Sequence, residues 1–144
     1  MISPFTKVLV GTDFSEPATR AVERAVDVAA RYGATLHVVH VWEIPLMAGA
    51  SIASPAVDWI TPIETAAKGQ LDELVEGLRA GNVPVNSTLC SGVAWDRILS
   101  MVEQVGADLV VVGTHGRTGI RRAFMGSIAE RVVRLSPVPV LTVH

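Results

Sequence analysis

Short apolar segments alternate along the chain with longer segments of helical periodicity, and this alternation constrains the fold more than any other feature. The first unit runs from "KVLVG" into apolar residues spaced three and four apart from Ala18 to Ala29, and it stops at Gly33. The same pattern predicts further strands at 35–42, 83–92, 108–113 and 138–143, and further helices at 61–78, 94–105 and 127–135. Parallel strands need a crossover between them, and a helix is the compact one. The sequence therefore predicts an α/β fold, a doubly wound five-stranded parallel sheet with helices on both faces.

Length and charge limit what such a fold can do here. The chain has 144 residues, 49% of them hydrophobic, which predicts one domain spanning 1–144. The net charge is −2 with no basic arm, so nucleic acid is not expected as the main partner. A single cysteine and a polar start favour the cytoplasm. The uncharged run 44–57 has fourteen residues and contains Pro45 and Pro55, so no membrane span is expected there.

The segment after the fourth strand, "GTHGRTGIRRAFMGS", has the parts of a phosphate-binding loop. Its glycines let backbone N–H groups approach an anion, and Ser127 is expected at the N-cap of the following helix, where the dipole favours negative charge. In doubly wound sheets the ligand lies outside the carboxyl ends of the strands, where "GTDFS" follows the first strand and this loop follows the fourth. From these residues alone, the alternative remains open that the segment is only a flexible connection between a strand and a helix.

Two common phosphate loops are absent. The only lysines, Lys7 and Lys68, do not form the Gly-Lys-Ser/Thr end of a P-loop. No two glycines stand one residue apart, as the dinucleotide-binding fingerprint requires. An ordinary P-loop ATPase or dinucleotide-dependent dehydrogenase is therefore disfavoured.

The glycine spacing instead resembles that of a known family. Two residues separate Gly113 from Gly116, and nine residues separate Gly116 from Gly126-Ser127. This spacing reproduces the G-x2-G-x9-G-(S/T) signature of the universal stress proteins, in their ATP-binding branch. The segments "KVLVGTDFSEPATRAVERA", "LHVVHVW" and "DLVVVGTHGRTGIRRAFMGSIAERVVRLSPVPVLTV" resemble the family's first unit, second strand and closing third. The resemblance implies a Rossmann-like fold of the adenine nucleotide alpha hydrolase type. An intact signature also argues against a branch that has lost its ligand.

The resemblance also implies a binding site for ATP, ADP or AMP. On the adenosine side, Thr12 and Asp13 would lie along the nucleoside, with the Asp13 carboxylate near the ribose or a bound Mg²⁺, and Val41 would hold adenine. The ribose and phosphates would be bound by Gly113, Gly116, Arg117, Gly126, Ser127 and the Ile128 N–H. Apart from the resemblance, Asp13 could be an ordinary turn residue and Val41 an ordinary core residue.

The remaining polar residues carry weaker predictions. Arg121 and Arg122 are expected on the surface, and His115 could either neutralise a phosphate or face water. His37 and His40 are three apart in a strand and point to opposite faces, so they are not expected to share a metal. Cys90 is expected as a small buried side chain.

Three functions remain open at this stage. The leading one is an ATP-binding regulatory protein of the stress response, homodimeric through its C-terminal edge strand, where Pro139 belongs, and acting on an unidentified regulatory partner. The second is a slow Mg²⁺-dependent ATPase, and the third is a dimeric interaction module without nucleotide. No catalytic residue is predicted, so an enzyme is not the expected outcome.

Overall fold

The architecture is a single five-stranded parallel sheet in the order β3-β2-β1-β4-β5. It comes from a computed structural model that describes residues 5–43, 58–115 and 125–144. The strands are β1 (Lys7–Gly11), β2 (Thr35–Trp42), β3 (Val85–Ser91), β4 (Leu109–Gly113) and β5 (Val140–Val143). All four neighbouring pairs are parallel. The predicted fold class is therefore confirmed.

Four helices connect the strands in the part of the chain that is described. They are α1 (Glu16–Tyr32), α2 (Ile60–Arg79), α3 (Ala94–Val105) and α4 (Ser127–Leu135). Ser15 caps α1 by accepting from Ala18 N, while Gly33 and Gly106 end α1 and α3 in the left-handed conformation, with φ of 66° and 69°. Both glycines provide the positive φ that a side chain would oppose, which is why the apolar periodicity stops at them.

The helices cover both faces of the sheet. On one face, Val8, Val10, Leu36, Val38 and Val111 pack with α1 and α2 in a buried cluster. On the other, alternate residues of the same strands pack with α3 and α4. Strand β4 is buried along residues 109–112, as expected for a strand covered on both sides.

The strand order reverses between β1 and β4, and this is the topological switch point. From β1 the chain moves outward to β2 and β3, then returns past β1 to β4 and the edge strand β5. The crevice of such a sheet opens where the order reverses, at the carboxyl ends of the strands. No helix in the described ranges has the length and apolar character needed to cross a membrane.

Two local predictions need correction. The N-cap of α4 is Gly126, with an extended backbone (φ −63°, ψ 156°), and Ser127 is the first helical residue. The Gly126 carbonyl already accepts from Glu130 N at 2.9 Å, so the helical bonding begins one residue earlier than the serine suggested. Cys90 is only partly buried, because β3 is an edge strand.

Candidate nucleotide-binding site

A cleft of about 850 Å³, counting its open mouth, lies at the carboxyl ends of β1, β2 and β4. Three groups of residues form its walls: the turn after β1, an apolar wall from β2 and α3, and the region where β4 ends and α4 begins.

The turn after β1 is built from side chains that hydrogen-bond to the backbone just ahead of them. Thr12 Oγ1 accepts from Phe14 N at 3.0 Å, and Asp13 Oδ1 accepts from Ser15 N at 3.0 Å. Ser15 Oγ then accepts from Ala18 N at 3.3 Å as the cap of α1. These local bonds are typical of Thr, Asp and Ser in turns. Asp13 therefore has the structural role that its residue type suggests, and it also lines the cleft.

The apolar wall consists of Val39 and Val41 from β2 facing Ala94 and Ile98 from α3. Gly11 at the end of β1 allows this close approach, since a Cβ there would lie 2.9 Å from Ile98 Cδ1. Together they form an aliphatic slot on this side of the cleft, and an apolar surface of this kind can pack against a flat ring.

The first turn of α4 forms the opposite wall, with Gly126, Ser127 and Ile128 lining the cleft. The first bond within the helix is made by Glu130 N, so the N–H groups of Ser127, Ile128 and Ala129 have no partner inside the helix. Unpaired N–H groups and the helix dipole together favour an anion at this end.

Thr114 anchors this wall to the sheet. It is 2% exposed, its N donates to Val143 O at 2.8 Å, and its carbonyl accepts from Gly126 N at 2.6 Å. Its Oγ1 lies 3.1 Å from His115 Nδ1 and 3.2 Å from His144 Nδ1. The segment that leaves β4 and the segment that enters α4 are thus held together at their base.

The two signature glycines of this region lie where a side chain would crowd the protein's own backbone. A Cβ on Gly126 would lie 2.9 Å from Thr114 O, and a Cβ on Gly113 would lie 3.1 Å from Pro17 O. Neither contact is with the space of the cleft. The protein's own backbone therefore comes close at both positions, which is a structural reason for a glycine there in addition to the expected approach of an anion.

Seven of the nine predicted site residues lie around this one cleft: Thr12, Asp13, Val41, Gly113, Gly126, Ser127 and Ile128. Gly116 and Arg117 lie outside the described residues, as do Arg121 and Arg122. Sequence reasoning missed Val39, Ala94, Ile98 and Thr114. Their signal was present, since Ala94 and Ile98 are four apart at the start of the helix that follows β3, but only the strand order brings that helix to the cleft.

Charged groups are few in the described part of the cleft. Asp13 and His115 are the titratable side chains that line it there. In the same ranges no group of three or more His, Cys, Asp or Glu side chains could hold a metal ion. His37 and His40 have separate partners, since His37 bonds to Thr88 Oγ1 and His40 to Thr12 O.

Comparison with known proteins gives consistent matches over the full chain. The model of the universal stress protein family matches residues 4–144. Universal stress protein A homolog 1 of Coxiella burnetii is 32% identical over 141 residues, covering 96% of both chains. The solved structure of universal stress protein MJ0577 of Methanocaldococcus jannaschii matches with a TM-score of 0.83 at 25% identity, covering 96% of this chain and 94% of that one. A universal stress protein in complex with cAMP matches with a TM-score of 0.70 at 28% identity, over 98% of both chains.

Proposed function

The chain belongs to the universal stress protein family, and from that premise we propose that it binds an adenine nucleotide in the cleft at the switch point. The observation that carries the proposal is the pairing of two unlike walls, an aliphatic slot on one side and, on the other, a helix N-terminus whose first N–H groups have no partner within the helix. A nucleotide has the matching parts, a flat base at one end and phosphates at the other. The cAMP complex of a 28% identical relative supports the same ligand class.

The proposed placement follows the chemistry of each wall. Adenine occupies the slot beside Val41, the ribose lies along Thr12 and Asp13, and the phosphates face the first turn of α4, where Ser127 and the Ile128 N–H contribute. Gly113, at the end of β4, lies between the ribose and the phosphates in this placement. We assign Gly116 and Arg117 to the phosphates on the family signature alone.

A Mg²⁺ ion would be held chiefly by the nucleotide. Among the described residues Asp13 is the one carboxylate that lines the cleft. One carboxylate together with phosphate oxygens and waters is a usual coordination for Mg²⁺, so Asp13 fits such an ion. The ion would neutralise phosphate charge near Asp13.

We propose that the protein acts by binding rather than by rapid hydrolysis. Fast phosphoryl transfer to water needs a group that positions the water and a cation on the γ-phosphate. In the described part of the cleft, Asp13 and His115 are the candidates for the first role, and for the second the chain has no P-loop lysine, so only Arg117 and a nucleotide-bound Mg²⁺ could serve. Binding of the nucleotide would then change the contacts of the protein with a regulatory partner. We propose that residues 1–144 form one domain and that the protein acts in the cytoplasm.

We further propose a homodimer through β5. This strand pairs with β4 on one side and lies at the edge of the sheet, with all four residues partly exposed. An apolar edge strand offers unpaired N–H and C=O groups to another chain. Light scattering at micromolar concentration should give twice the chain mass, and a monomeric mass would refute this part.

The nucleotide proposal is tested by calorimetric titration with Mg-ATP, ADP and AMP, with mass spectrometry of any ligand released on denaturation. The informative variant is Ser127→Asp, which adds a negative charge where phosphates would lie, and Ser127→Asn is its neutral control of equal size. Because the added carboxylate and the phosphates would repel each other within the first turn of α4, ATP binding should weaken by at least about tenfold. Adenosine binding should change less, because adenosine has no phosphate.

The outcomes separate the alternatives. Absence of heat and of co-purified nucleotide would contradict nucleotide binding and leave an interaction module. Equal ATP affinity of the Asp and Asn variants would contradict the phosphate assignment to α4. Phosphate release that is abolished by Asp13→Ala would establish the slow ATPase instead of a purely binding protein.

A further inference from the structure

We propose that His40 is the positioning residue of the nucleotide cleft: from the second strand it holds the turn after β1 in the conformation that presents Thr12 and Asp13 to the ligand. The inference rests on the proposed function for its effect on binding. Its structural part concerns the ligand-free protein and can be tested separately.

The first observation is a buried hydrogen bond across the sheet. His40 Nδ1 lies 2.8 Å from the Thr12 carbonyl oxygen, and the two residues are 8% and 7% exposed. A carbonyl oxygen can only accept, so Nδ1 must carry the proton and act as the donor. The bond continues the β1–β2 pairing beyond the strand end, where Thr12 N donates to Val39 O at 2.9 Å.

The second observation is a contact at the other end of the same turn. Phe14 has φ of 64°, a left-handed conformation that is unfavourable for a bulky side chain. Its ring packs on the His40 ring with centroids 4.4 Å apart. One imidazole therefore contacts the backbone of the residue before Asp13 and the ring of the residue after it.

These two contacts fix Asp13 from both sides. Within the turn, Phe14 N donates to Thr12 Oγ1 across Asp13, and Ser15 N donates to Asp13 Oδ1 across Phe14, the residue with the positive φ. His40 itself does not line the cleft, so its influence on a ligand is exerted through the turn. A turn that is already in place in the free protein does not have to be ordered when the nucleotide binds.

The same strand supplies a matched control. His37 is also 8% exposed, and its Nε2 lies 2.8 Å from Thr88 Oγ1. It points to the face of β2 opposite to His40, its hydrogen bond is to β3, and it does not line the cleft. Replacing either histidine removes a buried imidazole and the hydrogen bond named above, but only the bond of His40 holds the turn.

The experiment compares His40→Leu, His40→Asn and His37→Leu in the full chain. The Asn amide N–H branches from Cγ as Nδ1 does and can still donate to Thr12 O. We expect His40→Leu to weaken ATP binding roughly tenfold, and His40→Asn to restore it to within about threefold of wild type. His37→Leu should bind as wild type at pH 7.5 although it loses stability to a similar extent.

A ligand-free measurement keeps this inference apart from the proposed function. Amide hydrogen exchange at Phe14 and Ser15 should be at least about tenfold faster in His40→Leu than in wild type or His37→Leu. Long-range ¹H–¹⁵N NMR of the wild-type protein should show the proton of His40 on Nδ1. If the wild type binds no adenine nucleotide, the proposed function fails and these two measurements still decide the role of His40.

The contrary results are equally definite. An unprotonated Nδ1, unchanged exchange at Phe14 and Ser15, or equal effects of the two leucine variants would each overturn the inference. If His40→Leu does not fold, the NMR tautomer and the exchange rates of His40→Asn decide it. In that case exchange in the Asn variant close to wild type supports the role of His40, and fast exchange refutes it.

Discussion

Replacing Gly126 by alanine should destabilise the protein through a single backbone contact. The backbone of Gly126 has φ of −63°, which alanine adopts without strain, so the conformation itself costs nothing. The added Cβ would lie 2.9 Å from Thr114 O, the same atom that accepts from Gly126 N at 2.6 Å. Any movement that relieves the Cβ contact therefore stretches this hydrogen bond.

The size of the effect follows from these distances. Opening the contact to an ordinary separation requires a shift of about 0.5 Å between two backbone segments. Overpacking of this kind costs about 1–3 kcal/mol, and weakening one hydrogen bond costs about 0.5–1.5 kcal/mol, with overlap between the two. We expect a loss of about 2 kcal/mol in the free energy of unfolding. With a urea m-value of about 1–3 kcal/mol/M, the unfolding midpoint should fall by about 1 M.

Two other glycines make the test a graded series. At Gly113 the Cβ would lie 3.1 Å from Pro17 O, slightly less crowded, so alanine there should cost less. Gly69 lies inside α2 with nothing within 4 Å of its Cβ position, and alanine should stabilise the protein by about 0.5–1 kcal/mol. The reasoning is refuted if the midpoint of Gly126→Ala equals that of wild type, or if all three variants shift in the same direction by the same amount.

Three further predictions concern titratable groups outside the cleft. Partial burial opposes ionisation of Asp108, but hydrogen bonds from the Thr6 and Lys7 N–H groups and the Thr6 hydroxyl outweigh it and lower the pKa of Asp108. Asp108→Asn should therefore lower the free energy of unfolding by about 1 kcal/mol above a pH of about 4, as measured by urea unfolding. The difference from wild type should shrink as the pH falls through the lowered pKa. Burial and, second, the charge of Lys7 lower the pKa of His37. Below a pH of about 6.5 the unfolded chain binds a proton that the folded protein does not, so the free energy of unfolding should decrease as the pH is lowered. In urea unfolding, His37→Gln should show a smaller decrease than wild type. Burial raises the pKa of the Cys90 thiol, so its reaction with an aromatic disulfide reagent at pH 7.5 should be at least about threefold slower in the folded protein than in urea, and equal rates would contradict this.

Much of the fold could be read from local patterns. The wholly apolar residues 109–112 indicated a strand covered on both faces, and Gly33 and Gly106 marked helix ends because each needs a positive φ. Such features depend on residues within a few positions of each other. They are therefore visible in the sequence before any tertiary contact is known.

The parts that could not be predicted depend on register. The bond from His40 to Thr12 joins residues 28 apart and forms only because Gly11 pairs with Val39 in the β1–β2 ladder. The apolar wall needs Ile98 to pack over Gly11, which follows from strand order rather than from any local signal. Likewise, the N-cap of α4 is Gly126 and not Ser127, and Gly126 is held by the contact of its N–H with Thr114 O.

The packing of the glycines changes what the family signature can prove. An intact signature argued from sequence for a retained ligand, on the reasoning that a non-binding protein would not keep it. Gly113 and Gly126, however, are the positions where the end of β4 and the start of α4 approach backbone atoms of Pro17 and Thr114. Both glycines therefore have a packing role that does not depend on a bound nucleotide. What bears on phosphate binding is the start of α4, where the helix dipole and the N–H groups of Ser127 and Ile128 favour an anion. The comparison of Ser127→Asp with Ser127→Asn tests that feature directly, whereas the presence of the glycines does not.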